Sequence, residues 1–423
     1  MLARHRKSEL RRAASPKSPR AAAARRDADI GNIAVIESDE SIFGSANPFD
    51  LDKYQVAFTP NASGYSYQTS AGGFDQIAVG AASPLTGLAD DDSRRVELPF
   101  AFPFYGASYR ELWVNSDGNV TFTGGDNASS SRSLGRLAAG LPRIAALFTD
   151  LDPSVAPGSV LVTAAPSAFT VTWLRVPEYS DFGLGRPQSF QLRLTPDGKI
   201  NLAWDGVNIA DGVVGLSPGD SIAHPLLASF RQSPTGQGNA LIAERFGDAQ
   251  DLDLVSAARR FYESHDDAYD YLAFFNTTGV QPGSGVLAFE TTVRTARRGI
   301  GDTALDTGAQ YGSPNRLQAV LNMGPVDNFP ADPDALSPYR FGTGDTGLTV
   351  FAHEIGHLYL ALASVRDPAN AAARPMLGRQ LAHWNFRFNS EASLLEGNRI
   401  QDNGLNANPR FTTVATVEGY SPL

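Results

Sequence analysis

The pentapeptide His353-Glu354-Ile355-Gly356-His357 constrains this chain more than any other stretch. Two histidines at this spacing lie one turn apart on the same face of an α-helix, where their imidazoles can share a tetrahedral metal ion. Thr346 can cap such a helix, and apolar residues then recur at three- and four-residue steps, at Leu348, Phe351, Ile355, Tyr359 and Leu362. The pattern therefore predicts a buried helix over residues 346–364 that presents His353 and His357 to one ion.

Glu354 lies beside the two histidines and is the predicted general base. A metal ion at such a site lowers the pKa of a water, and a neighbouring carboxylate can accept a proton as that water attacks a carbonyl. Transfer of the proton to the leaving amine completes the hydrolysis of a peptide bond. The alternative is a buried helix whose histidines only satisfy hydrogen bonds. The metzincin pattern is excluded, because Leu360 and Ala363 stand where it requires Gly and His.

Two histidines and a water leave a tetrahedral zinc site one protein ligand short. The chain contains no cysteine, so the third ligand must be a histidine or a carboxylate. His383 is the first choice, because it is the only downstream histidine and precedes an alternating aromatic segment, although it could instead be a core histidine bonded to the backbone. Glu396 is the second, because residues 390–397 could form a following helix. The remaining downstream candidates are Asp367, Glu391 and Asp402.

The net charge of -10 is distributed unevenly. Residues 1–26 hold nine Lys or Arg against Glu9, so this segment carries +8 and the remainder carries -18. An acidic body argues against a nucleic-acid partner, which requires a basic surface. No apolar run is long enough to predict a membrane span, and the run at 21–24 is too short for a signal peptide. Residues 1–29 are predicted to be a disordered basic segment.

The first half of the chain predicts many short strands joined by tight turns. Short apolar runs such as the one at residues 54–58 alternate with Gly, Asn, Asp and Pro. The stretch at 98–122 predicts a hairpin whose turn is Ser116-Asp117-Gly118-Asn119. The expected fold is therefore multi-domain: an all-β sandwich over residues 30–245, followed by an α+β domain over 246–423 that contains the metal helix.

Several sequence blocks between residues 96 and 219 resemble the nidogen-type extracellular β domain. They read FPFYG, VNSDGNVTF, PRIAALFTDLDP, VTWLRVPE, FQLRLTPDGKI and VGLSPG. The resemblance implies a secreted or extracellular protein and an accessory recognition role, with extracellular matrix or surface ligands as partners. Asp150 and Asp152 in the third block could hold a structural calcium ion, although Asp-Leu-Asp-Pro is more often a hydrogen-bonded turn.

From residue 253 onward the chain resembles a family of secreted bacterial HExxH proteins. The blocks HEIGHLYLA, SVRDP, MLGRQLAHWNF, SEASLLEGNRIQDNG and GYSPL carry the likeness. The resemblance implies a zincin-like metallopeptidase with one catalytic zinc ion, and it favours His383 and Glu396 as ligand candidates. Sequences of this kind continue beyond GYSPL, so the domain is expected to be truncated at Leu423.

Taken together, the sequence predicts a secreted zinc metalloendopeptidase that acts on proteins or peptides. Two alternatives stay open. The protein could be an extracellular adhesion or matrix-binding protein whose metal domain is structural or inactive, or the same metal site could hydrolyse a non-peptide amide.

Overall fold

The computed structural model describes most of the chain and divides it into two compact units. The described residues are 29–30, 33–155, 158–180, 183–219, 226–283, 286–296, 304–338, 345–362, 365, 367–369, 373–378, 382–389, 395–398 and 400–413. One unit is Glu40–Ser256, and the other comprises Met1–Asp39 and Ala257–Leu423. All but the last residue of the predicted disordered segment 1–29 lies outside the described residues.

The unit Glu40–Ser256 is built almost entirely of β-strands, which confirms the prediction of a β-rich first half. The strands are β1 (Phe43–Gly44), β2 (Tyr54–Pro60), β3 (Tyr65–Ala71), β4 (Ser83–Pro84), β5 (Ser93–Phe104), β6 (Ala107–Asn115), β7 (Asn119–Thr121), β8 (Arg143–Phe148), β9 (Ser159–Ala165), β10 (Ala168–Pro177), β11 (Pro187–Leu194), β12 (Ile200–Trp204), β13 (Asp211–Ser217), β14 (Leu226–Leu227), β15 (Thr235–Gly238), β16 (Ile242–Gly247) and β17 (Asp251–Leu252). Two short helices accompany them, α1 (Gln76–Gly80) and α2 (Leu134–Ala139).

Two large sheets enclose the core of this unit. The eight-stranded sheet has the order β15-β3-β2-β12-β11-β10-β9-β4, and the seven-stranded sheet has the order β14-β16-β13-β8-β7-β6-β5. Buried side chains from both sheets form one cluster; examples are Phe58 and Trp173 from the first and Phe102 and Val114 from the second. The alternating apolar residues of each strand therefore pack between two layers, as in a β-sandwich.

Two tryptophan side chains link the sheets by hydrogen bonds. Trp173 on β10 donates Nε1–H to the carbonyl of Asn115 on β6 at 3.2 Å, and Trp204 on β12 donates to the carbonyl of Ala146 on β8 at 2.9 Å. Both indoles are at most 1% exposed. The bonds satisfy N–H groups that burial has removed from water, so the sheets are joined by polar as well as apolar contacts.

The predicted turn at residues 116–119 joins β6 to β7, and Gly118 is required there. Its φ is 66°, in the left-handed region, and a Cβ on it would overlap the carbonyl oxygen of Leu147. Only glycine meets both conditions without strain. The preceding hairpin turn, between β5 and β6, lies at Tyr105 and Gly106, which also have positive φ.

The sequence-based boundary between residues 245 and 246 stays a prediction, but the compact unit extends further, to Ser256. Strand β16 pairs along its length with β13, and β17 pairs with β1. The next helix is α3 (Leu254–Tyr262), and the buried Asp253 precedes it. Asp253 accepts hydrogen bonds from the N–H groups of Val255 and Ser256 in the first turn of α3. It also accepts one from the N–H of Gly135 at 2.6 Å. This cap explains why the helix predicted from residue 251 begins at Leu254.

The second unit contains a small sheet and the metal helix. Its elements are β18 (Tyr271–Asn276), β19 (Phe289–Thr292), β20 (Arg294–Thr295), β21 (Leu305–Asp306), β22 (Ala319–Pro325), a 3₁₀ turn (Val326–Asn328), α4 (Gly347–His357), β23 (Trp384–Asn389), β24 (Glu396–Asn398), β25 (Ile400–Asp402) and β26 (Phe411–Thr413). The three-stranded sheet has the order β18-β22-β19, with β22 parallel to β18 and antiparallel to β19. The strands predicted at 268–275, 286–293 and 317–323 are therefore present with shifted ends.

A buried ion cluster holds the loop between β7 and α2. Asp126 accepts hydrogen bonds from Arg136 Nη2 at 2.8 Å and from Arg143 Nη2 at 2.5 Å, and both arginines are at most 1% exposed. Their guanidinium groups also lie over the Phe148 ring. Although burial by itself favours the neutral acid, the two arginines hold the pKa of Asp126 well below its usual range. One carboxylate therefore compensates two buried cations.

We expect Asp126→Asn to lower the free energy of unfolding by about 3–5 kcal/mol, because it leaves two buried guanidinium groups without their counter-charge. Urea unfolding at neutral pH measures the difference. The difference in the free energy of unfolding between the parent and the variant should decrease below about pH 3.8. There the Asp126 carboxylate binds a proton in the unfolded chain but not in the folded chain. Asp197→Asn is the matched control, since Asp197 and its partner Lys199 are more than half exposed. Equal losses in the two variants would contradict the prediction.

Candidate metal centre

The metal helix α4 begins with a reciprocal cap. Thr346 Oγ1 accepts from the N–H of Thr349 at 3.2 Å, and Thr349 Oγ1 accepts from the N–H of Thr346 at 2.8 Å. The cap at Thr346 was predicted. The helix ends at His357 rather than continuing to residue 364, and Ala361 adopts a left-handed φ of 55° four residues later. The helix is thus just long enough to carry the pentapeptide.

The buried face of α4 differs in part from the predicted stripe. Val350, with the partly buried Phe351 and Ile355, packs against Leu321 and Met323 of β22. Two members of the predicted stripe, Leu348 and Tyr359, are more than half exposed. Leu348 lies in the first turn and Tyr359 beyond the helix end, so neither continues the packed face. Helix packing against the sheet therefore rests on the central two turns.

His383 lies immediately before β23 and is held by the backbone around it. Its carbonyl accepts the N–H of Gly378 at 2.8 Å, and the next residue, Trp384, donates its N–H to Leu395. The neighbouring Ala382 backbone forms a hydrogen bond with His357. A hydrogen bond from a histidine to a carbonyl is the usual device that orients a metal ligand, because it sets which ring nitrogen is left to coordinate.

Three imidazoles converge at this point. His353 Nε2 lies 3.1 Å from His383 Nε2 and 3.2 Å from His357 Nε2. Within the described residues, these three histidines form the one group of three or more His, Asp or Glu side chains whose donor atoms are close enough to share an ion. A tetrahedral zinc ion with Zn–N bonds of about 2.0–2.1 Å separates its ligand nitrogens by about 3.3–3.4 Å. The arrangement thus fits a metal ion of this size.

The protonation state of the site also suits a metal. Burial lowers the pKa of His357 to about 3, with the neighbouring His353 and His383 adding to the effect. Burial likewise lowers the pKa of His383. Each neutral imidazole carries one N–H and one lone pair. With ring nitrogens this close together, the lone pairs are satisfied by shared protons or by one common cation.

Glu354 lies beside the cluster and is buried. Its Oε2 is 4.0 Å from His357 Nε2, and the residue is 5% exposed. Burial and, to a smaller extent, the negative charge of Glu290 raise the pKa of Glu354 to about 8. A divalent cation on the histidines would act in the opposite direction, because a nearby positive charge favours the carboxylate form.

Glu290 is a residue that the sequence analysis missed. It lies on β19 with Leu321 of β22 as its register partner, and its Oε1 accepts from Thr292 Oγ1 at 2.8 Å. The one signal available in the sequence was an acidic residue inside an otherwise uncharged strand. That signal points to an unusual environment but not to the metal helix, since strand register decides what Glu290 faces.

The other proposed third ligands do not belong to the histidine group in the described part of the chain. Asp367 is exposed and accepts from the N–H of Ala369, and Asp402 is exposed and pairs with Arg410. Glu396 begins strand β24, so the helix expected over residues 390–397 is wrong at its C-terminal end. The side chain of Glu396 lies outside the described residues. Glu391 lies outside the described residues as well.

The calcium candidates have partners within the protein. Asp150 Oδ1 lies 2.9 Å from Arg132 Nη2, and Asp152 Oδ1 accepts from the N–H and Oγ of Ser154. The second interaction is the hydrogen-bonded turn weighed as the alternative to calcium. Neither aspartate is part of a described group with metal-binding geometry.

Comparison with known proteins identifies one domain. A family model described as NIDO related matches residues 64–237, which lie within the β unit. The chain therefore contains a NIDO-related domain, and the resemblance to the nidogen-type β domain is confirmed. No curated protein and no solved structure matches the chain. Among the described residues, no helix has the length and apolarity needed to cross a membrane.

We expect His383→Ala to lower zinc affinity by at least about tenfold, because it removes one of three converging nitrogens. Isothermal titration of the metal-free protein with zinc measures the change. His265→Ala is the control, since His265 stacks on Phe261 and is not part of the group. Glu396→Ala tests the competing ligand. Full affinity in His383→Ala with loss in Glu396→Ala would reverse the assignment.

Proposed function

We propose that the second unit is a zinc-dependent hydrolase that cleaves peptide bonds, with Glu354 as general base and His353, His357 and His383 as metal ligands. The observation that supports this most strongly is the convergence of three Nε2 atoms beside a buried carboxylate. A structural metal site is normally closed by a fourth protein ligand, whereas three ligands leave a position for water or substrate.

The chain's own groups have distinct roles in this proposal. Zinc bound at the site would polarise the scissile carbonyl and increase the acidity of the attacking water. The three imidazoles supply neutral donors, and the Ala382 backbone orients His357. The Glu354 carboxylate accepts the proton of the attacking water and returns it to the leaving nitrogen, so that the amine departs neutral. Burial of Glu354 keeps bulk water from competing for that proton.

The rest of the protein supports an extracellular setting. We infer a zincin-like α+β domain from the order of helix, small sheet and metal helix in the second unit. A NIDO-related domain at residues 64–237 favours a secreted protein in which the β unit recognises a surface or matrix ligand. The substrate in this proposal is a protein or peptide.

The NIDO-related domain also supports a second candidate function. An adhesion or matrix-binding protein would use the β unit as its working part and retain the second unit as a structural or inactive metal domain. The buried Glu354 argues against this candidate. An inactive metal domain gains no stability from an acid whose ionised form is disfavoured by burial.

We expect Glu354→Gln to retain zinc and to lose about 10²- to 10⁴-fold in peptide hydrolysis, because the ligands remain while proton transfer does not. Zinc content by atomic absorption and cleavage of casein measure the two effects on the full chain. Glu263→Gln, which replaces an exposed glutamate of the same unit, should match the parent. Comparable rates in Glu354→Gln and the parent would exclude the proposed role. Absence of hydrolysis in the parent would favour the adhesion candidate.

A further inference from the structure

The two arginines of the buried ion cluster meet on the outer face of the seven-stranded sheet. Arg143 is on β8, and its neighbour Ile144 contributes to the core between the two sheets. Successive side chains of a strand point to opposite faces, so Arg143 points away from that core. Ala145, on the same strand, packs with residues of helix α2, which carries Arg136. Both arginines are therefore enclosed between this sheet and the part of the chain that covers it.

The charges of this cluster do not balance. Asp126 accepts one hydrogen bond from Arg136 and one from Arg143, so a single negative charge serves two positive ones. The next acid, Asp117, forms an ion pair with Arg132 at 2.8 Å. Burial and the positive charge of Arg136 lower the pKa of Arg143, although Asp126 acts in the opposite direction. Two arginines and one aspartate leave a sum of one positive charge in a place that water does not reach.

Several donors of the same arginines are unsatisfied. Among the described residues, Nε of Arg136 and both Nε and Nη1 of Arg143 are buried and have no hydrogen-bond partner. The side-chain oxygen of Ser130 is also buried without a partner, and the carbonyl of Ser130 accepts from Arg136 Nη1 at 2.5 Å. Buried polar groups are nearly always paired, so unpaired ones point to a bound water or ion. A buried charge makes this demand stronger than a neutral group does.

We propose that Arg143, together with Arg136, binds a small monovalent anion of the halide class, such as chloride, inside the β unit. One negative charge balances the cluster, and an anion can accept hydrogen bonds from several N–H groups at once. The ion must be small, because both arginines are at most 1% exposed. Sulfate, phosphate and organic anions are too large to reach these nitrogens unless the covering loop opens.

The anion would join the loop before α2 to the sheet. The loop supplies the partners of Arg136, which are Asp126 and the carbonyls of Ala128 and Ser130, whereas Arg143 belongs to β8. An ion shared by the two arginines therefore adds a link between the loop and the sheet. A ligand that binds only the folded state raises the melting temperature as its concentration increases. Chloride should therefore stabilise the β unit.

Thermal unfolding of the full chain in chloride and in gluconate measures this effect. Gluconate carries the same charge as chloride but is too large for an enclosed site. Tryptophan fluorescence follows the β unit, because Trp113, Trp173 and Trp204 lie in it and one further tryptophan lies outside it. Replacing gluconate by chloride at a constant ionic strength of about 0.15 M should raise the melting temperature by about 3 °C or more.

One variant and one control separate binding at this site from a general salt effect. Arg143→Met removes the unbalanced charge and leaves Asp126 paired with Arg136, so the shift caused by chloride should fall to about 1 °C or less. Arg95→Met is the control, because Arg95 is an exposed arginine of the same unit that pairs with Glu111. It should keep the shift of the parent.

Crystals of the parent grown with bromide in place of chloride test the site without any variant, which matters if Arg143→Met does not fold. We expect an anomalous peak in contact with Nε or Nη1 of Arg143. A water there without anomalous signal, or no density there, would overturn the proposal. The absence of a chloride shift in the parent would also overturn it, as would an equal shift in the parent and in Arg143→Met.

Discussion

Three imidazoles whose ring nitrogens all lie within 4.8 Å of one another are the constraint on which the candidate metal site of this protein depends. His353 and His357 are brought together by one turn of helix, and His383 joins them from the segment before β23. Neutral imidazoles at this separation need a proton or a cation between them. The cap at Thr346, the packing of Val350 on the sheet and the hydrogen bond between His357 and Ala382 all serve to keep the three rings in place.

Buried charge is handled differently in the two units. In the β unit, Asp126 lies between Arg136 and Arg143, so its charge is compensated within the chain. In the second unit, burial and the negative charge of Glu290 raise the pKa of Glu354. Arginines close to a carboxylate favour its ionised form, whereas burial and a nearby negative charge favour the protonated form. The first arrangement holds a loop of the β unit, and the second lies beside the candidate metal ligands.

The β unit shows which features of a fold can be read from local sequence. Alternating apolar residues predicted strands such as β2, and the turn at residues 116–119 was predicted from its residue types. Strand order was not accessible in this way, because β13 pairs with β8 and β16, which come from distant parts of the chain. The observed ends of helices and strands differ from the predicted ends because they too depend on contacts with distant parts of the chain. The helix expected from residue 251 starts at Leu254, since β17 and the Asp253 cap depend on partners elsewhere.

The candidate site likewise has some features that local sequence predicts and others that depend on long-range contacts. The sequence by itself determined that His353 and His357 share a helix face with Glu354 next to them, because the spacing of an α-helix is a local property. It also indicated His383, as the only downstream histidine, before an alternating aromatic segment and in a block that carries the family resemblance. Tertiary structure decided that His383 reaches the other two imidazoles, and that Glu290 lies on the sheet face under α4. Both outcomes depend on strand register and on contacts between residues that are far apart in the sequence, and no local pattern encodes these.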